Sequence, residues 1–165
     1  VIGLDLSPYF LSIALYRKEE QNNQVQYIHA NAESIPILDN SLDMVSINFM
    51  LHEVPHQVRM NILREIYRVL KPKGVLAILD LDPEKLYGNF QYNPLRKLAF
   101  ESTEPHIFSY YKHSMVYSLE DSGFENIGIY KNDPNNKLWI CQKSEFKIQT
   151  ILPQPRNVLF SYAYV

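Results

Sequence analysis

The sequence predicts an α/β fold, a three-layer sandwich around a mostly parallel sheet that closes with a C-terminal antiparallel hairpin. Three observations carry this. Short apolar or β-branched runs alternate with stretches of helical periodicity through residues 1–81, the pattern of a sheet whose strands are joined by helices. Crossover connections of that length make the joined strands parallel. Near the C-terminus, two strand-like runs flank Asp133-Pro134-Asn135-Asn136, a hairpin signal. With 165 residues, 46% hydrophobic and 21% charged, the chain has the apolar material for one ordinary core.

The elements follow in order. Residues 1–6 read as a buried strand ending at Asp5-Leu6, and Ser7-Pro8 supplies an N-cap with proline at the first helical position. Phe10, Leu11, Ala14 and Leu15 recur at helical spacing, so residues 8–19 form a helix, stopped by the polar turn 21–24. Residues 25–30 are a second strand, 31–41 a loop broken by Pro36 and Asp39-Asn40, and 42–48 a third strand. A helix over 57–70 places Val58, Ile62, Ile66, Val69 and Leu70 on one face; Lys71-Pro72-Lys73-Gly74 stops it and turns into a strand over 75–81. From 82 to 113 Pro83, Gly88, Pro94 and Pro105 break the pattern, and 95–100 reads as a short helix. Residues 114–122 form a helix ending at Gly123. Strands 124–131 and 137–143 complete a domain over residues 1–143, with 144–165 a tail of undefined structure.

Composition narrows the function. Lys+Arg 16 against Asp+Glu 18 leaves a net charge of −2, with no basic excess to hold nucleic acid or an anionic membrane. The longest apolar stretch, 75–79, is too short to insert stably in a bilayer. Cys141 is alone, so it forms no intrachain disulfide and builds no metal site by itself; its strand neighbours suggest a buried structural thiol. With no leader read ahead of the domain, a cytoplasmic, reducing compartment is expected, with an organellar one left open. Oligomeric state is left open.

In parallel sheets ligands sit beyond the carboxyl ends of the strands. That places Asp5, Asn31-Ala32, Asn48 to His52 and Asp80 to Asp82 along one edge. A carboxylate at Asp5 suits the two hydroxyls of a ribose, or equally the start of a helix. His52 titrates in the range a general base needs; packing at a helix start is the bland alternative. Glu53 either orients His52 or faces solvent. Asp80 and Asp82 share a strand face, yet no further ligands join them, so ordinary strand-end carboxylates are expected and no metal. Tyr110, Tyr111 and His113 are candidates for an acceptor pocket, or for surface packing of an irregular loop.

Five runs, Val1-Ile2-Gly3-Leu4-Asp5-Leu6-Ser7-Pro8, Asn31-Ala32-Glu33-Ser34-Ile35-Pro36, Leu38 to Val45, Leu51-His52-Glu53-Val54 and Arg64 to Leu76, follow one another along the chain. Together they resemble class I S-adenosylmethionine-dependent methyltransferases, closest to the small-molecule branch of ubiquinone and menaquinone biosynthesis. The first run resembles the family's second-strand motif and the second its adenine-contacting loop. The third and fourth resemble its fourth strand and the segment after it, and the last the helix-turn-strand that follows. The resemblance covers residues 1 to about 82. It implies a Rossmann-like fold, S-adenosylmethionine as cofactor and methyl transfer to a small-molecule acceptor. Asp5 would bind the ribose diol, Leu6 would pack on adenine, and Asn31 and the Ala32 backbone N–H would meet the adenine edge. Asn48, Phe49 and Met50 would lie by the methionine end. The family often has Asp where Asn31 stands, so a charge is lost there while a carbonyl acceptor is kept.

The family's glycine-rich loop has no counterpart among the 5 glycines of this chain. In the family it follows a first strand lying between the strands that here hold Asp5 and Asp43. Without that strand the ladder breaks and leaves unpaired backbone groups. Three outcomes are expected: a fragment of a longer enzyme, a sheet that closes up or is filled by the apolar run 158–165, or a degenerate relative without activity. A non-catalytic relative is the main alternative to a methyltransferase. A nicotinamide-dependent enzyme would share Asp5 but leave Asn31 to Pro36 and Arg64 to Gly74 unexplained.

Overall fold

The computed structural model describes residues 1–21, 24–131 and 133–145. Element order is β1 (Ile2–Asp5), α1 (Pro8–Gln21), β2 (Gln26–His29), β3 (Leu42–Asn48), α2 (His56–Val69), β4 (Leu70–Leu81), α3 (Pro83–Tyr92), α4 (Pro94–Thr103), α5 (Ile107–Lys112), α6 (Met115–Asp121), β5 (Phe124–Tyr130) and β6 (Asn136–Lys143). The expected α/β architecture, with parallel pairs first and an antiparallel hairpin last, is what the chain forms.

The strands make two sheets. β1 pairs with β2 in parallel, and β3, β4, β6 and β5 lie in that order in a four-stranded sheet. There β3 and β4 are parallel, while β6 runs antiparallel to both of its neighbours. β1 and β3 do not pair, so among the described residues the sheet does not close up across the expected break. The apolar run 158–165 and most of the expected tail lie outside the described residues, as does part of the turn 21–24.

The core belongs to the larger sheet. On β4 the residues Leu76, Ile78 and Asp80 are buried, alternating with half-buried neighbours as the two-residue period requires. Ile62, Leu63 and Ile66 of α2, Met115 and Leu119 of α6, and Trp139 and Cys141 of β6 pack with them. Burial of the Cys141 thiol, its only perturbation, pushes its pKa up to about 12, in keeping with a structural role. In the smaller unit α1 forms where its periodicity predicts, but Phe10 and Leu15 stay about half or more exposed (60% and 48%), and only Leu11 of that face is buried.

Two segments differ from the sequence reading. Residues 71–74 do not terminate α2; they bulge within β4, whose register shifts between the Leu42–Leu70 and Met44–Val75 pairs. Residues 82–113 hold three helices rather than one short one. Two of the three prolines read as breakers are helix starts: Asp82 caps Pro83 of α3 by accepting from the Glu84 N–H, and Asn93 caps Pro94 of α4 by accepting from the Arg96 N–H. Tyr110 and Tyr111 therefore sit on a helix, not on an irregular loop.

Candidate functional site at the strand ends

The C-terminal ends of β1, β2, β3 and β4 carry the predicted residues. Asp5 is half-buried at the end of β1, and its Oδ1 accepts from the Ser7 N–H at 2.8 Å, opening α1. Beside it the Ala30 N–H reaches the Asp5 carbonyl at 3.2 Å, which brings Asn31 and Ala32 next to Asp5 across the β1–β2 pair. Leu6 is 64% exposed and its carbonyl meets His29 Nε2 at 2.8 Å. Asn31 uses Oδ1 locally, accepting from the Glu33 N–H at 2.9 Å, while Ala32 packs against the core. This loop is clamped from α2. Arg68 donates to the carbonyls of Ile35 and Ile37 and to Asp39 and Glu65, and Glu65 accepts from the Ile35 N–H. Hydrogen bonding to Arg68, more than burial opposes, holds the Glu65 carboxyl below the ordinary range.

At the end of β3, Asn48 and Phe49 are exposed, and Phe49 has a φ of 50°, a left-handed backbone in a non-glycine residue. Its N–H donates to the Leu79 carbonyl at 2.8 Å and fixes the turn. Met50 packs partly on the core. Asn48, Phe49 and Met50 thus lie at or just after the end of β3, and Asp5, Leu6 and Asn31 at or just after the ends of β1 and β2.

His52 is buried, and its Nδ1 lies 2.6 Å from Oδ1 of Asp80. A carboxylate only accepts, so the proton sits on Nδ1 and Nε2 carries the lone pair. Asp80, fully buried, also accepts from the Leu51 N–H at 3.0 Å and the Leu81 N–H at 2.8 Å, so it is fixed from three directions. Burial opposes a charge on His52, but the hydrogen bond and charge of Asp80, helped by Glu53 and Glu104, outweigh it and raise the imidazole above 6.5. The orienting group is therefore Asp80; Glu53 faces solvent. Asp82 does other work, capping α3 and pairing with the buried Lys137 at 3.1 Å. No group of metal-ligating side chains occurs among the described residues.

Of the acceptor candidates, Tyr110 is buried edge-on to His52, with ring centroids 6.1 Å apart, and its hydroxyl donates to the Leu81 carbonyl at 2.8 Å. Burial and the nearby Asp80 push its pKa up, so it stays a phenol. His113 stacks flat on His56 at 3.9 Å. Tyr111 turns away to pack on Tyr87, Phe90 and Phe108. With His113 and Trp139 it lines a cavity of about 340 Å³.

Sequence reasoning missed three members of this cluster. Asp80 was visible only as a strand-end carboxylate; its pairing with His52 depends on the parallel register of β3 and β4. His56 and Arg59 read as the polar part of an amphipathic helix, yet Arg59 is fully buried under the ring of Tyr110, 4.9 Å from it. The signal available was their spacing of three, which puts them on one helix face.

Residues 1–78 match the methyltransferase domain family. A demethylmenaquinone methyltransferase of Oceanobacillus iheyensis is 43% identical over 89 residues, 53% of this chain and 37% of that protein. The chain thus spans little more than a third of that relative's length. Among solved structures, an S-adenosylmethionine-dependent methyltransferase from Methanosarcina mazei superimposes with a TM-score of 0.67 at 19% identity, over 87% of this chain and 82% of that one. The phosphoethanolamine N-methyltransferase 2 of Haemonchus contortus, solved with S-adenosylmethionine, gives 0.65 at 17% identity, over 87% of this chain and 43% of that one. At such identities the structural likeness establishes the fold. The family match bears out the resemblance carried by the motifs.

Proposed function

We propose that this chain, whose residues 1–78 belong to the methyltransferase-domain family, takes part in methyl transfer from S-adenosylmethionine to a small-molecule acceptor. The observation that carries this reading is the buried His52–Asp80 pair, formed at the C-terminal ends of β3 and β4 close in sequence to the cofactor candidates Asn48 and Phe49. The residues present fit the cofactor at its ribose. Asp5 is an acceptor-only carboxylate at a strand end, half-buried, with one oxygen anchored by Ser7. The adenine end is held more thinly, because Asn31 already shares its carbonyl oxygen with the Glu33 N–H. Asn48 and Phe49 would flank the methionine end.

The cofactor supplies an activated methyl group, so the protein's part is alignment, exclusion of water and removal of a proton. His52 serves as the base. Asp80 holds Nδ1–H and leaves Nε2 to take a proton from the acceptor, then stabilises the imidazolium that forms. Tyr110 covers the ring and keeps water from it. The demethylmenaquinone methyltransferases among the relatives support a small quinone-like acceptor.

Calorimetric titration with S-adenosylmethionine and S-adenosylhomocysteine tests the reading. Both are expected to bind, with Asp5→Ala weakening them by about 1–3 kcal/mol, the scale of hydrogen bonds to a charged group. No heat with either compound refutes it. An unchanged affinity in the variant removes Asp5 from the site.

A further inference from the structure

The far edge of the larger sheet carries a cavity that the proposed chemistry does not use. Ile129 of β5 and Trp139 of β6 pair across the ladder and share its floor, while Tyr87 of α3 and Tyr111 of α5 supply a wall, their ring centroids 5.7 Å apart. Its volume of about 340 Å³ lies at the small end of ligand pockets and suits a compact aromatic molecule. Neither His52 nor Tyr110 lines it, so an occupant here does not meet the proposed base.

Two donors on its surface are deeply buried and have capacity to spare. Trp139 is 2% exposed, yet its indole N–H is not fully occluded and meets no acceptor among the described residues. A buried tryptophan N–H ordinarily finds a partner. Lys137 is 4% exposed, and its ammonium lies 3.1 Å from Asp82 and 3.3 Å from Glu84. That leaves its third N–H uncommitted, with Nζ 5.8 Å from the centroid of the Trp139 ring. Asp82 and Glu84 also meet Lys131, at 3.8 and 3.2 Å, so the two carboxylates are balanced by two ammonium groups. Lys112 adds a charge that no carboxylate pairs among the described residues; it lines the cavity and rests 4.0 Å over the Phe108 ring. The lining is therefore aromatic, with donors inside it and one positive charge in excess.

We propose that this cavity binds a planar aromatic carboxylate, at a site separate from the His52–Asp80 pair. The ring lies against Tyr87 and Tyr111 in the offset or edge-on contacts that aromatic pairs prefer. One carboxylate oxygen accepts from the Trp139 N–H and the other from the third N–H of Lys137, and the charge on the acceptor strengthens both bonds. Lys112 supplies the excess positive charge that draws the anion in. The inference stands apart from the methyltransferase reading, since no residue assigned to the cofactor or to the base takes part.

Trp139 is the only tryptophan of the chain, so its indole N–H gives a single, self-identifying NMR signal in a nitrogen-labelled sample. Benzoate, its neutral methyl ester and cyclohexanecarboxylate are titrated separately into the full chain, without S-adenosylmethionine. Benzoate should move that signal saturably and bind about tenfold more tightly than either control, because the ester lacks the charge and the cyclohexane lacks the aromatic face. Lys112→Gln, at an exposed side chain, should weaken benzoate about threefold and leave the ester unchanged. Ile129→Phe narrows the cavity at a position 46% exposed, where the fold tolerates the larger ring, and should abolish the shift. An indole signal that benzoate does not move overturns the proposal and leaves water as the partner of Trp139. So does equal affinity for benzoate and its ester, or for benzoate and cyclohexanecarboxylate. Acetate binding as tightly as benzoate would also overturn it, by showing a site for any small anion.

Discussion

Asp80→Asn isolates the group on which the proposed chemistry turns. Asp80 is fully buried and accepts from the N–H groups of Leu51 and Leu81 and from His52 Nδ1. Asparagine keeps the shape and one acceptor oxygen but removes the charge that strengthens these bonds and that faces Arg59. Two bonds falling from charged to neutral strength correspond to a loss of about 1–3 kcal/mol, and the third, from the Leu51 N–H to the other oxygen, is lost and leaves a buried donor that costs about 1–3 kcal/mol more. The loss must depend on pH. His52 has a folded pKa raised above 6.5, so its protonation contributes stability that is complete below the unfolded value and fades as pH rises through the higher folded one. Without the carboxylate, burial, which disfavours the charged ring, is opposed only by the more distant Glu53 and Glu104, so the upward shift shrinks and the acid-side stabilisation shrinks with it. Each unit of swing adds about 1.4 kcal/mol to the acid-side loss. Urea unfolding followed through Trp139 at about pH 5.5 and about pH 8.5 reads the difference, with the larger destabilisation expected in acid. An equal loss at both pH values, or a wild-type His52 titrating at or below 6.5 by NMR, would refute the dyad as drawn.

Three further outcomes follow from the packing. Gly123 has a φ of +93°, and a Cβ there would meet the Tyr67 ring at 3.0 Å, so Gly123→Ala should cost about 1–3 kcal/mol in thermal unfolding. Arg68→Ala removes the clamp on the 31–41 loop; amide exchange should accelerate from Ile35 to Asn40 while β4 and β6 stay protected, with a global loss of only about 1–2 kcal/mol because the guanidinium is partly exposed. Cys141, buried with its thiol at about 12, should resist iodoacetamide in the native protein and react on unfolding. Alkylation at the rate of a free thiol would show that β6 is open.

Much of the fold was legible because periodicity is a local property. The residues of β1, α1, β3 and α2 announce themselves by spacing alone, and the strand-end rule pointed to Asp5, Asn31, Asn48 and His52 before any coordinate. What failed was local in form but tertiary in cause. Pro83 and Pro94 break a helix in one context and begin one in another; the capping carboxylate of Asp82 and the Asn93 amide decide which. Asp80 became the orienter of His52 only through the register that sets Asn48 beside Leu79. Arg59 was hidden most completely, since no sequence pattern announces a fully buried cation; its burial is produced by Tyr110, 51 residues further along the chain.

The division of strands into two ladders has a consequence for how this protein reports on itself. Trp139, the only tryptophan of the chain, sits in β6, and its fluorescence therefore follows the four-stranded sheet alone. Among the described residues β1, α1 and β2 are held by bonds among themselves and by the loop that Arg68 grips, with no strand pair linking them to the rest. A melting curve read through Trp139 is blind to their opening. Loss of the ribose-end candidate Asp5 would then precede, silently, the transition that such a curve records, and a probe on Tyr27 of β2 is needed to see it.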